Sequence, residues 1–488
     1  MSVLKEDVLA QDKEWQGHID DEKSAVRLSY AVGQLLYDNS VELVLFRNHL
    51  VDRSTSEILK LHNYAKNVVE KEISVADSAD LAKELTQLHI GPAKIDIGRL
   101  ASEWKNEGAN YDDKRSFLQD KLSDFLNEGS DFSIEPRDVV LFGFGRIGRL
   151  AARELIKQAG KGQQLRLKAI VVRNDSDEQL TKRAALFKMD SVHGEFEGSV
   201  DLDLANKCLI IDGQRIKLIA APSPDQIDYP SYGINNALVI DNTGAYTSRE
   251  ALSIHLKAKG ISKVLLTAPG KEIPNIVYGV NNQDIDVENE TIFSAASCTT
   301  NAISTVLKVI EDNLGVEKGH IETVHAYTND QNLLDNMHKK PRRGRSAAIN
   351  MVITSTGAGN AVAKVIPDLK GKLTANAVRV PTPNGSLAIL SLNVRKETSV
   401  EHVNSLVKKE ALEGNLVNQI HYSIEPELVS NDIIGNSCCS VFDSEASIAS
   451  ADGKNVVLYV WYDNEYGYTK QVIRLAKKIA KVQRRIYY

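Results

Sequence analysis

Two kinds of apolar periodicity divide this chain. Up to about residue 135 the apolar residues recur every three to four positions, the spacing of amphipathic helices. Ser54-Thr55-Ser56-Glu57 fits a capping box ahead of Ile58, Leu61, Tyr64, Ala65 and Val68. Leu81, Leu85 and Leu88 mark another helix, and Phe117, Leu118, Leu122 and Phe125 a further one, with Ile90-Gly91-Pro92 breaking the pattern between them. Helices with apolar stripes must bury them. Residues 1–135 are therefore expected to form a small helical module, joined to the rest through Glu128-Gly129-Ser130-Asp131.

From Asp138 the pattern alternates between strands and helices. Val139 to Phe142 is an apolar strand, Gly143 to Gly148 a loop, and Arg149 to Gln158 a helix. Leu167 to Val172, Ala237 to Ile240 and Lys263 to Leu266 read as further strands, with a helix from Arg249 to Ala258. This order predicts a doubly wound parallel sheet. After Cys298 the strands lengthen and alternate, as in Ser386 to Val394 and Val456 to Tyr462, which predicts a mixed sheet with helices on one face. Tyr468 to Tyr488 reads as a terminal helix. The expected fold class is α/β: a Rossmann-type nucleotide domain and an α+β catalytic domain, preceded by the helical module.

Composition narrows the function classes. At 488 residues, 42% hydrophobic and 25% charged, the chain has ample core for two or three soluble domains. No apolar run reaches the roughly 20 residues needed to span a bilayer, and the N-terminus carries acids where a signal peptide has its apolar core. The four cysteines lack metal-site spacing, so no metal is expected, and a reducing cytoplasm suits them. Residues 1–135 carry a net charge of −10, which leaves +4 of the total −6 on the remainder. That mildly basic part suits anionic small molecules. Its longest basic run, Lys339-Lys340-Pro341-Arg342-Arg343, is too short to suggest a nucleic-acid surface.

Two stretches carry chemistry. The GxGxxG loop follows an apolar strand and opens a helix, and an acid ends the next strand. Gly143, Gly145 and Gly148 allow the tight turn, the Arg146 and Ile147 N–H groups face a pyrophosphate, and Asp175 accepts hydrogen bonds from the adenosine ribose. Asp175 lies 27 residues past Gly148, a spacing stretched by the polar Lys161 to Gln164 insertion. The second stretch begins at Ser297-Cys298-Thr299-Thr300-Asn301. It sets a thiol at the capped start of an apolar helix, where unpaired N–H groups favour thiolate and can receive an oxyanion or phosphate. A strand-like run then presents His325, and a Cys/His pair is the equipment of thiol nucleophilic catalysis. Cys208, Cys438, Cys439, His193, His255 and His338 are expected to be structural.

Four strings resemble the phosphorylating glyceraldehyde-3-phosphate dehydrogenase family. They are Ala296-Ser297-Cys298-Thr299-Thr300-Asn301, His325-Ala326-Tyr327-Thr328-Asn329-Asp330, Arg379-Val380-Pro381-Thr382-Pro383-Asn384 and Trp461-Tyr462-Asp463-Asn464-Glu465. The resemblance runs from about Arg137 to the C-terminus. It implies an NAD(P)-binding domain over 136–297, a catalytic domain over 298–464 and a C-terminal helix, 465–488, packed back on the first. It implies cofactor contacts at Thr243, Gly244, Thr267 and Asn464. One phosphate pocket would use Thr328, Asp330 and Arg379, and a second Ser297, Thr299, Thr356 and Gly357, with Arg343 supporting one or both. The implied reaction oxidises glyceraldehyde 3-phosphate through a thioester on Cys298, with His325 as base and inorganic phosphate as final attacker, in glycolysis or gluconeogenesis. The implied assembly is a homotetramer. NAD is favoured by Asp175. NADP is admitted by Asn336-Met337, where strict NAD users carry a small residue or leucine and then proline, and by Arg173, while Pro222 replaces a basic residue near the adenine. Two alternatives stand beside this reading: an erythrose-4-phosphate dehydrogenase, and a non-catalytic binding or regulatory relative.

Overall fold

The computed structural model describes residues 2–126 and 134–488, so the joint expected at Glu128 to Asp131 lies outside the described residues. The chain forms two compact units. One comprises residues 1–136, 160–164 and 482–488, and the other 137–159 and 165–481.

The first unit holds α1 (Ser2–Gln34), α2 (Thr55–Asn67), α3 (Val75–Leu85), α4 (Ile97–Glu107) and α5 (Lys114–Lys121), of which α2, α3 and α5 fall on the stripes read from the sequence. The capping box at α2 is present, with Ser54 accepting from the Glu57 N–H and Glu57 from the Ser54 N–H. The helices pack Leu28, Leu35, Ile58, Leu81 and Phe117 into one core. Each such side chain fully removed from water contributes about 1.5–3 kcal/mol.

The unit is not helical throughout. β1 (Glu42–Leu45), β2 (Asn48–His49) and β3 (Ala93–Asp96) form a sheet whose fourth member is the C-terminal strand Arg485–Tyr487, parallel to β3. The expected terminal helix over 465–488 therefore stops early. It ends at Ile479, Lys481 turns left-handed at φ 58°, and the strand Arg485–Tyr487, with β-branched Ile486 and aromatic Tyr487, pairs with the sheet. At the β1–β2 turn Phe46 and Arg47 both have positive φ. Buried Asp96 holds that turn by accepting from the N–H groups of Phe46, Arg47, Gly98 and Arg99.

The second unit begins with β4 (Arg137–Phe142), α6 (Arg146–Lys157), β5 (Leu165–Val172) and α7 (Asp177–Lys188). A short hairpin, β6 (Met189–Asp190) and β7 (Gly194–Glu195), precedes β8 (Val200–Asp203), β9 (Cys208–Ile211) and β10 (Gln214–Ala220). β11 (Ala237–Asp241), α8 (Arg249–Leu252), β12 (Ile261–Leu266) and β13 (Ile292–Ser294) complete an eight-stranded sheet in the order β13-β12-β11-β4-β5-β10-β9-β8. The strands from β13 to β10 run parallel, and the order reverses beside β4. A doubly wound sheet opens its ligand crevice at such a switch point. The helix expected from Arg249 to Ala258 is one α-turn followed by a 3-10 stretch, Ser253–Lys257. Ser253 turns back to the Glu250 carbonyl there, and His255 reaches buried Asp241 at 2.9 Å.

α9 (Cys298–Leu314) leads into the second sheet, made of β14 (Val316–Ala326), β15 (Val352–Thr354), β16 (Leu373–Val380), β17 (Ser386–Val394), β18 (Ile420–Ser423), β19 (Ser440–Ala449) and β20 (Asn455–Tyr462). Its order is β15-β16-β14-β17-β20-β19-β18. α10 (Ala358–Val365) packs on β16 and α9, and α11 (Val400–Leu412) on β18, β19 and α9. α12 (Tyr466–Ile479) packs on α6 and α9.

Candidate active site

The α9 turn is built under constraint. Ala296, 2% exposed, has φ 54°, a left-handed conformation costly for a residue with a Cβ. The surroundings hold it there: its N–H donates to Ser294 Oγ, and its carbonyl accepts from the Tyr468 hydroxyl at 2.9 Å. Asn301 binds the Ala295 and Ser297 carbonyls. Ser297 then caps α9 through the Thr300 N–H at 3.0 Å, and Cys298 becomes the first helical residue. Its N–H belongs to the helix's first turn, where no intrahelical acceptor exists.

Cys298 Sγ lies 3.8 Å from His325 Nε2. His325 is the last residue but one of β14, where parallel pairing sets it beside Arg379 of β16. His325 Nδ1 lies 2.7 Å from the Ala326 carbonyl, which can only accept, and 3.1 Å from Arg379 Nη1, whose hydrogen goes to that same carbonyl; Nδ1 therefore carries the proton and Nε2 turns a lone pair to the sulfur. Burial and the Arg379 guanidinium push His325 down to about 3. Burial also pushes the Cys298 thiol up, against the pull of the Thr299 hydroxyl, Arg379 and nearby N–H groups. This differs from the expectation that the helix start alone favours thiolate. The resting pair is a neutral thiol facing a neutral imidazole, and it can pass its proton when a substrate arrives. Tyr462 backs both groups, with its ring edge-on to His325 and its hydroxyl 3.1 Å from Thr299 Oγ1.

Anion-binding groups surround the pair. Arg379 Nη1 donates to the Ala326 carbonyl, while its Nε is buried without a partner. Arg343 pairs with Asp330 and donates to Thr354 Oγ1. The Thr328 carbonyl accepts from the Gln331 N–H, Thr356 accepts from the Ala358 N–H, and Gly357 precedes α10 with open space at its Cα. The hydroxyls of Ser297 and Thr299 already have protein partners. Thr354 stands in no motif, and Tyr462, though part of a quoted string, carries no role there, since neither stands at a position that its type alone marks out.

A groove of about 370 Å³ opens at the switch point of the parallel sheet. It is lined by Gly143, Phe144 and Gly145 after β4, Arg173 after β5, Arg183 of α7, Pro222 after β10, and Thr243 and Tyr246 after β11. The glycines are needed sterically. Gly143 has φ 94°, and a Cβ on Gly148 would lie 2.5 Å from the Gly143 carbonyl oxygen. A Cβ on Gly145 would meet nothing, which leaves space above the first N–H groups of α6 for a pyrophosphate. The groove thus suits the pyrophosphate and adenosine of a dinucleotide.

Of the expected cofactor residues, Gly143, Gly145 and Thr243 line this groove. Arg146 turns its side chain to Glu465 and Asp190, leaving its N–H and that of Ile147 at the helix start. Burial works against the charge on Asp190, but the N–H groups of His193 and Val192, with Arg146, hold it at about 2. Gly244 takes φ 66° in the turn after Thr243. Thr267 donates from both its N–H and its hydroxyl to the Asp241 carbonyl, away from the lining. Asp175 lies in the β5–α7 loop, and the lining passes from Arg173 to Arg183 without it. Asn464 follows β20, accepting from Ser386 Oγ and donating its N–H to Asn384 Oδ1. Its neighbour Asp463 binds His193, Asn384 and the Gly435 N–H, a buried hub whose role the string that contains it does not announce.

Residues 137–249 match the family model for the glyceraldehyde 3-phosphate dehydrogenase NAD binding domain, and residues 297–464 that for the C-terminal domain of the same enzyme. A glyceraldehyde-3-phosphate dehydrogenase of Clostridium pasteurianum is 40% identical over 349 residues, covering 70% of this chain and 98% of that protein. The chain belongs to the glyceraldehyde-3-phosphate dehydrogenase family. As a member it is an oxidoreductase that binds NAD(P). The Priestia megaterium glyceraldehyde-3-phosphate dehydrogenase, 42% identical over 339 residues, covers 69% of this chain and 96% of itself. A glyceraldehyde-3-phosphate dehydrogenase-like protein of Pseudomonas aeruginosa strain UCBPP-PA14 is 47% identical over 454 residues, 92% of this chain and 98% of that protein. That match reaches well into the first 136 residues.

Proposed function

We propose that this family member is a phosphorylating glyceraldehyde-3-phosphate dehydrogenase that converts glyceraldehyde 3-phosphate, inorganic phosphate and NAD(P)+ into 1,3-bisphosphoglycerate. The observation that carries the reading is the 3.8 Å approach of Cys298 Sγ to an imidazole nitrogen held as an acceptor. Residues 136–297 serve as the dinucleotide half and 298–464 as the catalytic half.

His325 Nε2 takes the thiol proton as Sγ adds to the aldehyde carbon. The oxygen that gains charge lies within reach of the Cys298 N–H and of the new Nε2–H, which returns the proton to it. The bound dinucleotide supplies the hydride acceptor. As the hydride leaves the carbon, His325 takes the hydroxyl proton and Cys298 carries a thioester. A phosphate oxygen then attacks the acyl carbon, the C–S bond breaks, and the sulfur regains a proton from His325. Arg379 supports the sugar phosphate with Thr328 and Asp330. Thr356, Gly357, Ser297 and Thr299 support the attacking phosphate, with Arg343 between the two, since hydroxyls, N–H groups and guanidinium forks suit phosphate oxygens.

A homotetramer agrees with the apolar residues exposed around the basic loop, among them Leu333, Leu334, Met337, Ile349 and Met351. A reduced, cytoplasmic setting suits a chain whose four cysteines are all free. The test is reduction of NAD(P)+ by purified protein with glyceraldehyde 3-phosphate, with and without inorganic phosphate. Phosphate-dependent reduction is the expected result. Reduction that ignores phosphate and prefers erythrose 4-phosphate would assign the chain to the tetrose enzymes, and no reduction at all to a binding role.

A further inference from the structure

We propose that the groove selects the dinucleotide bearing a phosphate on its adenosine 2′-oxygen, and that Arg183 is the residue that decides it. The inference rests on NAD(P) binding by the family and goes beyond it to the form bound. In a doubly wound sheet the pyrophosphate sits on the glycine turn after the first strand, and the adenosine ribose lies at the end of the second. Here that end is Val172-Arg173, and α7 brings Arg183 onto the same groove ten residues later. Neither guanidinium has a hydrogen-bond or ion-pair partner among the described residues, and Arg183 Nε is buried without an acceptor. A half-buried, unpaired cation is costly, and an anion that enters the groove relieves it.

Three of the acids nearby are already committed. Asp177 pairs with Lys207 at 2.6 Å, Glu178 with Lys182 at 2.6 Å, and Asp190 with Arg146 and the N–H groups of the next turn. Asp175 has no side-chain partner among the described residues, and it is not among the residues that line the groove. The ribose end therefore presents two guanidinium groups, a surface for a dianionic phosphate rather than for a pair of ribose hydroxyls.

Titration calorimetry on the full chain tests this with NADP+, NAD+, 2′,5′-ADP and 5′-AMP. No turnover is needed, so the result is independent of the chemistry assigned to Cys298. NADP+ should bind about tenfold more tightly than NAD+, and 2′,5′-ADP than 5′-AMP, the scale of one charge-assisted hydrogen bond. Arg183→Ala should remove that advantage and leave NAD+ within about twofold, while Arg183→Lys restores part of it. NAD+ binding as tightly as NADP+ would overturn the proposal. So would equal losses for both dinucleotides in Arg183→Ala, which would make Arg183 a pyrophosphate or folding residue. Binding of neither dinucleotide would overturn the cofactor assignment itself, and the proposal with it.

Discussion

His325 and Arg379 donate to one acceptor, the Ala326 carbonyl oxygen, at 2.7 and 2.9 Å. Parallel register makes this possible, because β14 and β16 set the two residues side by side. The shared acceptor fixes the histidine tautomer, and the guanidinium beside it discourages protonation. Burial first and this arginine second hold the base neutral, while the arginine lowers the thiol against the rise that burial causes.

Removing that charge should move both groups the same way. In Arg379→Gln the His325 midpoint climbs from about 3, and the Cys298 thiol climbs further above its ordinary range. Iodoacetamide should then modify Cys298 more slowly near pH 7, by roughly tenfold if the thiol becomes a tenfold weaker acid, because only the thiolate reacts. Modification at the wild-type rate would show that Arg379 does not set the thiol.

Acid should weaken the folded state through the same imidazole. Unfolded, His325 binds its proton near its ordinary 6.5; folded, only near 3. Between those values the unfolded chain holds a proton that the folded chain lacks, so stability falls with pH below 6.5 and is unaffected above it. By pH 5 the loss is about 2 kcal/mol. Urea unfolding followed at Trp461 should show this loss in the wild type and a smaller one in His325→Gln.

Cys298→Ser tests the nucleophile. A hydroxyl in place of the thiol should lower kcat by on the order of 10³-fold or more. Dissociation constants for NAD(P)+ should stay within about twofold, because the β4–α6 turn and the groove do not include Cys298. Substantial residual turnover would take the covalent step away from this residue.

The turn before Cys298 depends on its buried brace. Tyr468→Phe deletes the hydroxyl that donates to the Ala296 carbonyl and leaves that carbonyl buried without this donor, a cost of about 1–3 kcal/mol. With φ 54° at Ala296 no longer enforced, Cys298 should drift from His325 and kcat should fall while KM for the dinucleotide holds. Loss of stability with unchanged kcat would limit Tyr468 to packing.

What the sequence disclosed and withheld follows from the range of the forces involved. The alternation from Ser386 to Val394 delimits β17 because one buried face suffices to write it. The Ser297 cap and the His325 strand are similarly local. The strands β1, β2 and β3 span four residues or fewer, and their sheet is completed by residues some 390 positions away, which no local period records. The rise in the Cys298 thiol comes from burial, and the place of Arg183 in the groove comes from how α7 lies against β5. Neither is written in residue spacing.

The N-terminal unit should fail at its C-terminal strand. Buried Arg484 reaches Glu42 at 3.0 Å, and Glu42 also holds His49 and Lys94. Arg484→Ala removes one of three partners, Lys94 and His49 being the others, from a buried carboxylate, so its cost should lie below the 3–5 kcal/mol of a fully broken pair, at about 2 kcal/mol. Amide exchange in Glu42–Leu45 and Ala93–Asp96 should accelerate by roughly 30-fold, with exchange in 165–481 unchanged. A chain beginning near Ile134 is the stronger test, since it leaves Arg484 and the strand Arg485–Tyr487 with no sheet to join. Every residue assigned to the chemistry lies within 137–481. Its kcat should therefore remain within roughly tenfold, about 1.4 kcal/mol in barrier, while solubility and thermal stability fall. Complete loss of turnover in a truncated protein that is still folded would mean that the N-terminal unit shapes the active site.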